Sequence, residues 1–189
     1  TFKAKMNDEI PNEIDMKKFE QSFDLSDTIN TVLNHEIILY NDLINEIKAS
    51  LIHLQKGLKG LIVIDEKLEQ LKRRIVGNKI PDIWKEKSFP SILSLRSYIG
   101  DLRQRVKFID DWVINKERPK VFKLGAFFHP EEFTTAVLQV YSRKHKVSFD
   151  SLKWASKIYL ENEDKIEVDE GIILDHLFLE GAKFDVEKN

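Results

Sequence analysis

The chain has 189 residues, a formal net charge of −2, and a composition that is 42% hydrophobic and 33% charged. This composition excludes a disordered chain, and the small net charge excludes a strong general attraction to nucleic acid or anionic lipid. The absence of cysteine excludes disulfides and thiol chemistry and fits a reducing compartment. The sequence contains neither an apolar run that could span a bilayer nor the apolar core of a signal peptide. We therefore expect a cytosolic protein that builds its own core and does not enter a membrane.

The longest predicted element is a helix over residues 28–59. Its apolar positions alternate in steps of four and three residues, which places them on one face of a helix. A second apolar row beside this seam indicates a core helix of a bundle rather than a two-stranded coiled coil. Residues 1–26 are expected to form an arm with a short helix through 17–23, and Ser26 or Asp27 is expected to cap the long helix. The seam consists of Leu33, Ile37, Tyr40, Ile44, Ile47, Leu51, Leu54 and Leu58.

Three further helices follow in the prediction. The first covers residues 66–76, between a cap at Asp65 and a stop at Gly77. The next begins at Ser91 or Ser94 and is broken by Pro119. The last covers residues 130–145. These helices predict a mainly α protein, an antiparallel bundle of about four to six helices that occupies residues 27–149.

The region that we call the aromatic corner, residues 121–133, leads into the last helix. It contains Phe122, Phe127, Phe128 and Phe133. Pro130 suits the first position of a helix because its missing N–H would be unpaired there in any case. A solvated loop would not carry so many rings, so this corner is expected to be buried in the protein's own core or against a partner.

The C-terminal part of the sequence changes character from Val147 onward. Residues 151–160 and 171–179 lack a helical period and flank a polar run, which predicts a β hairpin with a charged connection. Two strands alone are marginal in water, so we expect residues 150–189 to be the start of an incomplete β subdomain. The same reasoning suggests that the sequence was cut from a longer protein.

The sequence predicts no catalytic, cofactor-binding or metal-binding residues. It has no phosphate-binding glycine loop. His129 near Glu131 and Glu132 forms a metal-like cluster, but helix capping is the favoured interpretation. Asp175 and His176 could be a base and its orienting partner, although no serine nucleophile accompanies them. A structural or interaction role is predicted instead for Trp84, Trp112, Phe127, Phe128, Pro130 and Phe133.

Two short basic groups on predicted helices are candidates for a nucleic-acid surface. They are Lys72, Arg73, Arg74 and Arg103, Arg105, Lys107. Acidic residues alternate with them along the sequence, so solvated helix faces and salt bridges are favoured. We expect no nucleic-acid partner.

Several strings, taken in order, resemble one family. They are Asn30-Thr31-Val32-Leu33 with Glu36, Leu54-Gln55-Lys56-Gly57-Leu58-Lys59-Gly60-Leu61, Pro81-x-x-Trp84, Ser88-Phe89-Pro90-Ser91, Gly125-Ala126-Phe127-Phe128-x-Pro130 and Leu179-Glu180-Gly181-Ala182. Each string is weak by itself, but their order and spacing are similar to those of the C-terminal domain of a dynein heavy chain of the axonemal type. Lys123, Gly125 and His129 depart from the family pattern, which implies a divergent member.

This resemblance implies a non-catalytic part of a microtubule motor. It implies packing on the AAA+ ring of the same heavy chain, with other dynein subunits as further partners and with ATP hydrolysis elsewhere. It also implies a location in the cytoplasm or cytoskeleton, in the axoneme of a cilium or flagellum, and a sequence that ends before most of a β-barrel. No cofactor is implied.

Two other classes remain open at this level. One is a free-standing helical scaffold or dimerisation module that pairs through the seam of the long helix. The other is a small hydrolase that uses Asp175 and His176 or the cluster around His129.

Overall fold

The computed structural model describes residues 9–158, 166 and 170–175. Six α-helices lie wholly within these residues, together with two short strands, so the prediction of a mainly α protein is confirmed. The helices are α1 Met16–Ser22, α2 Thr28–Leu58, α3 Glu66–Val76, α4 Asp82–Lys85, α5 Leu95–Asn115 and α6 Pro130–His145. The strands are β1 Val121–Lys123 and β2 Ile173–Asp175, and 3₁₀ turns cover Leu124–Ala126 and Phe149–Ser151.

Helix α2 is the central element of the core. It has 31 residues, which corresponds to a length of about 46 Å. The carboxylate of Asp27 accepts a hydrogen bond from the N–H of Ile29 and caps the first turn. Asp27 is thus the cap, of the two residues that the sequence offered. The predicted seam faces inward: Leu33, Ile37, Tyr40, Ile44 and Ile47 are fully buried and Leu54 is 5% exposed. The seam ends at Leu58, which is 40% exposed.

Helix α3 packs against the C-terminal part of α2. Its bounds agree with the prediction, the carboxylate of Asp65 accepts a hydrogen bond from the N–H of Leu68, and its apolar face is buried. Gly57 of α2 permits the close approach, because a Cβ atom there would lie 2.7 Å from Leu68 Cδ2. Gly60 then turns the backbone with a φ of 71°, a conformation that favours glycine.

Helix α5 packs against α2 and against the 3₁₀ turn Leu124–Ala126. It begins after Ser94, one of the two predicted starts, and buries Leu102 and Ile109 completely. Helix α1 packs on α5 and buries Phe19. No helix within the described residues combines the length and apolar character that crossing a membrane requires.

The predicted β hairpin is wrong. Strand β2 pairs with β1 in parallel, in the register Val121 to Ile173, Phe122 to Leu174 and Lys123 to Asp175. Residues 152–158 form no strand, and residues 159–160 and 176–179 of the predicted hairpin lie outside the described residues. The sequence signal failed because β1 has only three residues, too few to show a period, and its partner is about 50 residues away. The predicted division at residue 150 stays a prediction, and the sheet crosses it.

Candidate functional site

The aromatic corner brings rings from three parts of the sequence together. Phe127 stacks on Phe133 of α6, with ring centroids 4.5 Å apart and planes inclined by 21°. Phe122 of β1 lies 4.8 Å from Phe133 and meets Trp112 of α5 edge-on at 5.5 Å. All four side chains are at most 5% exposed. This cluster fixes the start of α6 against α5, because moving either element separates buried rings that pack against each other.

Phe128 points to a second set of rings. It meets Tyr40 of α2 edge-on at 4.7 Å and Phe89 edge-on at 5.7 Å. Phe89 in turn lies 5.5 Å from Tyr98 and under the guanidinium of Arg105, whose Cζ is 3.9 Å from the ring centroid. The adjacent Phe127 and Phe128 therefore serve opposite sides of the corner. One contacts α5 and α6, and the other contacts α2.

A hydrogen bond from Tyr40 anchors the backbone of the corner. The hydroxyl of this fully buried side chain donates to the carbonyl of Ala126 over 2.7 Å. Burial raises the pKa of Tyr40 far above its ordinary value, so the hydroxyl keeps its proton and remains a donor. Burial also raises the pKa of nearby Tyr98 to about 12.

The carboxylate of Glu36, one turn before Tyr40 on α2, holds the start of α6. It accepts hydrogen bonds from the backbone N–H of Phe128 over 2.7 Å and from that of His129 over 3.1 Å. These groups precede the first turn of α6, whose N-cap residue His129 offers no side-chain cap of its own. Glu36 is fully buried, and burial raises its pKa while the two N–H donors oppose that rise. We call the contacts of Glu36 and Tyr40 with the corner the α2–corner joint.

Two histidines flank this joint at the surface. His35 stacks on His129 with centroids 5.9 Å apart, and its Nδ1 lies 3.2 Å from Glu132 Oε2. His129 Nδ1 lies 3.4 Å from Glu131 Oε1. In the described part of the protein, no group of three or more histidine, aspartate or glutamate residues is arranged to hold a metal ion. The histidines here pair with the first turn of α6.

The structure places Trp84 away from the other predicted site residues. Its side chain is fully buried, and its indole N–H donates to Ser50 Oγ over 2.8 Å. Ser50 lies ten residues beyond Tyr40, about 15 Å further along α2. Trp84 thus ties α4 to α2. The corner itself brings together Trp112, Phe127, Phe128, Pro130 and Phe133, with Phe128 and Pro130 half-buried.

The remaining candidates from the sequence show no assembled chemistry among the described residues. Asp175 ends β2, whereas His176 lies outside the described residues. The basic groups on α3 and α5 make ion pairs and hydrogen bonds with nearby acidic residues and a backbone carbonyl. These contacts are Lys72 and Arg73 with Glu69, Arg74 with Asp82, Arg103 with the carbonyl of Glu9, Arg105 with Asp101, and Lys107 with Asp111.

Sequence reasoning missed the roles of Glu36 and Tyr40 in the joint. It assigned Tyr40 only to the seam, and Glu36 only to a family string. The available signal was a lone glutamate on the buried face of α2, four residues before a seam tyrosine, because a buried carboxylate requires donors nearby. The sequence could not identify those donors, since they are backbone N–H groups more than 90 residues away.

The geometry defines a helical domain in which the α2–corner joint ties the long helix α2 to the start of α6. The sequence profile of the C-terminal domain of the dynein heavy chain matches residues 2–189. The protein therefore belongs to the family of C-terminal domains of dynein heavy chains.

Curated relatives are similar over most of this sequence. It is 34% identical to dynein axonemal heavy chain 1 of Rattus norvegicus over 181 residues, which are 94% of this chain and 4% of that protein. It is 32% identical to dynein axonemal heavy chain 12 of Mus musculus over 179 residues, 94% of this chain and 6% of that protein. It is 37% identical to dynein axonemal heavy chain 1 of Homo sapiens over 163 residues, 85% of this chain and 4% of that protein. The chain thus spans a small part of the length of these relatives.

Proposed function

We propose that this domain packs on the AAA+ ring of a dynein heavy chain and modulates microtubule-based motor activity without a nucleotide site of its own. The observation that carries the proposal is the family match over residues 2–189, together with similarity to axonemal heavy chains. The domain matches 4% to 6% of the length of these relatives, and we propose that ATP is bound and hydrolysed in other parts of the heavy chain. The proposed location is the axoneme of a cilium or flagellum.

The α2–corner joint supports a mechanical role. Two hydrogen bonds to Glu36 and one from Tyr40 tie α2 to the start of α6, and the rings of Phe127 and Phe133 extend the contact toward α5. Since α2 is about 46 Å long, a domain built on it could contact separate ring modules. A rigid body that contacts two modules penalises the states in which they move apart, and so changes how the ring cycles.

The surface also supports a partner. Val63 is 90% exposed and Leu61 is 69% exposed in the loop after α2, and Ile92 is fully exposed in the loop before α5. Exposed apolar side chains grouped in loops are characteristic of surfaces that another protein covers. We assign these loops and the charged helix faces to contact with the ring, and other dynein subunits to the remaining surface.

The scaffold alternative is weakened by the position of the seam. A dimerisation module needs its apolar stripe at the surface, but Leu33, Ile37 and Ile44 are fully buried against the protein's own helices. No set of described residues favours the hydrolase alternative. We therefore propose neither.

The test uses a heavy-chain motor from which the segment equivalent to this domain has been deleted. The domain is added back in trans, and both binding and the microtubule-stimulated ATPase rate are measured. The proposal expects saturable binding and an ATPase rate that returns toward that of the intact motor. The absence of binding, with an ATPase rate that does not respond, would refute it.

The matched control separates docking from folding. A Val63→Glu variant changes an exposed side chain, so it is expected to keep its helicity and to bind the ring more weakly. A Thr135→Glu variant also adds one carboxylate to an exposed position, on α6, and is expected to bind as the unchanged domain does. Equal binding by both variants would exclude the loop after α2 from the interface.

A further inference from the structure

Helix α3 and the loops at its two ends form a surface that is rich in positive charge. We call the exposed side chains of residues 56–79 the α3 face. We propose that the surface of the AAA+ ring that docks on the α3 face is acidic, with apolar side chains among its carboxylates. This inference rests on the proposed function, in which the loop after α2 contacts the ring, and it specifies the chemistry of that contact.

The first argument is the separation of charge along the chain. Residues 56–79 contain seven lysine and arginine residues but three acidic ones, whereas the whole chain has a net charge of −2. The other residues of the chain therefore sum to a net charge of −6. A surface of one sign on a chain that is otherwise of the opposite sign steers a complementary partner to that surface. The cations are Lys56, Lys59, Lys67, Lys72, Arg73, Arg74 and Lys79, and the acids are Asp65, Glu66 and Glu69.

The acidic residues of this region do not neutralise its cations. Lys72 and Arg73 share the carboxylate of Glu69, at 3.3 Å and 3.7 Å. Arg74 pairs with Asp82 of α4 over 2.7 Å, and even with Asp82 counted, four carboxylates face seven cations. The four cations that form no ion pair with a described residue are all exposed, and they are Lys56, Lys59, Lys67 and Lys79.

Helix α3 presents its cations away from the core. The inward side of the helix is defined by three buried side chains, Leu68, Leu71 and Ile75. With 3.6 residues per turn, Arg73 lies opposite to this side, and its side chain is 77% exposed. Lys67 and Arg74 lie along one flank of the helix and Lys72 lies along the other. The cations therefore surround the exposed side of α3, where a partner can reach them.

Apolar side chains accompany these cations, which favours a protein partner. Leu61 and Val63 are 69% and 90% exposed in the loop before α3, and Val76 is 79% exposed at the end of the helix. A single-stranded nucleic acid would stack its bases on exposed aromatic rings, and residues 56–79 contain no aromatic residue. A protein surface with carboxylates around apolar side chains complements both the charge and the apolar part of the α3 face.

The experiment measures binding of the protein to a heavy-chain motor from which the equivalent segment has been deleted. The dissociation constant is determined at about 50 mM and at about 300 mM salt. We expect the affinity to fall roughly tenfold over this range, because salt screens the attraction between exposed charges of opposite sign. Circular dichroism of each variant confirms that the helices are retained.

Charge reversals locate the contact. Lys67→Glu and Lys79→Glu each replace an exposed cation at one end of α3, and each is expected to weaken binding about fivefold. Lys67→Arg keeps the charge and is expected to bind as the unchanged protein does. Lys17→Glu is the matched control, because Lys17 is also exposed and forms no ion pair with a described residue, but it lies on α1. It is expected to change the affinity less than about twofold.

Four results would contradict the inference. Saturable binding that neither salt nor the two charge reversals change would overturn the acidic surface and leave the proposed ring contact standing. The absence of any binding to the motor would overturn both. An equal loss with Lys17→Glu would assign the effect to net charge instead of the α3 face. Binding to phosphatidylserine vesicles that Lys67→Glu abolishes, while binding to the motor persists, would assign the face to a membrane.

Discussion

Replacing Glu36 by glutamine tests the α2–corner joint most sharply. The carboxylate accepts hydrogen bonds from the N–H groups of Phe128 and His129, at 2.7 Å and 3.1 Å. The glutamine side chain offers one carbonyl to two donors, so one N–H is left facing the amide NH₂. Losing one hydrogen bond to a charged acceptor costs about 1.5–3 kcal/mol, and removing the buried charge returns part of that cost. We expect a net loss of about 2 kcal/mol at pH 7.

Urea unfolding followed by tryptophan fluorescence measures this loss. For a domain of this size, a loss of about 2 kcal/mol corresponds to a fall in Tm of roughly 4–8 °C. Glu132→Gln is the matched control, because its side chain is 43% exposed and its pair with His35 is expected to contribute less than about 0.5 kcal/mol. If the two substitutions lower the free energy of unfolding equally, or if Glu36→Gln raises it, the stabilising role assigned to Glu36 is refuted.

The difference in the free energy of unfolding between the unchanged protein and Glu36→Gln is also expected to depend on pH. Folding raises the pKa of Glu36, so the stability linked to its protonation is fully present below the ordinary value of 4.5 and is lost as the pH rises through the folded pKa. The stability difference between the unchanged protein and Glu36→Gln is therefore expected to widen as the pH falls from 7 toward 4.5. Since other groups titrate in both proteins, the difference isolates Glu36. A difference that narrows over this range would contradict the assigned cause.

Three further predictions concern other parts of the fold. Tyr40→Phe leaves the carbonyl of Ala126 without its buried donor and is expected to lower the free energy of unfolding by about 1–2 kcal/mol; an unchanged urea midpoint would contradict this role. Gly60→Ala is expected to lower the free energy of unfolding by about 1 kcal/mol, because Gly60 has a φ of 71°. Gly100→Ala is expected to raise it, because a Cβ atom at this position of α5 meets open space. If the two substitutions shift the midpoint of thermal unfolding in the same direction, the strain argument is contradicted. Ile44→Asp is expected to abolish helicity measured by circular dichroism, since Ile44 is fully buried; retained helicity with dissociation of a dimer in sedimentation would instead support the scaffold alternative.

The helices could be predicted because their signals are local. The alternation of apolar residues from Leu33 to Leu54 determines which face of α2 is buried. The caps at Asp27 and Asp65 and the proline at the start of α6 determine the ends of helices within a residue or two. Burial of the aromatic corner also followed from composition, because so many rings in a short segment cannot remain solvated.

The contacts that organise the corner could not be predicted in the same way. The donors to Glu36 and the acceptor of Tyr40 lie 86 to 93 residues away, and only the packing of α6 on α2 brings them together. The strand pairing could not be predicted for the same reason. The three residues of β1 carry no periodic signal, and their partner Ile173–Asp175 is distant in sequence. Residue type alone groups Trp84 with the corner, although its hydrogen bond to Ser50 places it elsewhere on α2.

The most direct test of the proposed function is a density map, by electron cryomicroscopy, of an intact heavy-chain motor that includes this domain. The account predicts that the domain is seated on the AAA+ ring, that α2 lies across more than one ring module, and that the joint between Glu36 and the start of α6 is intact. A map in which these residues are detached from the ring, or contact a single module only, would contradict it.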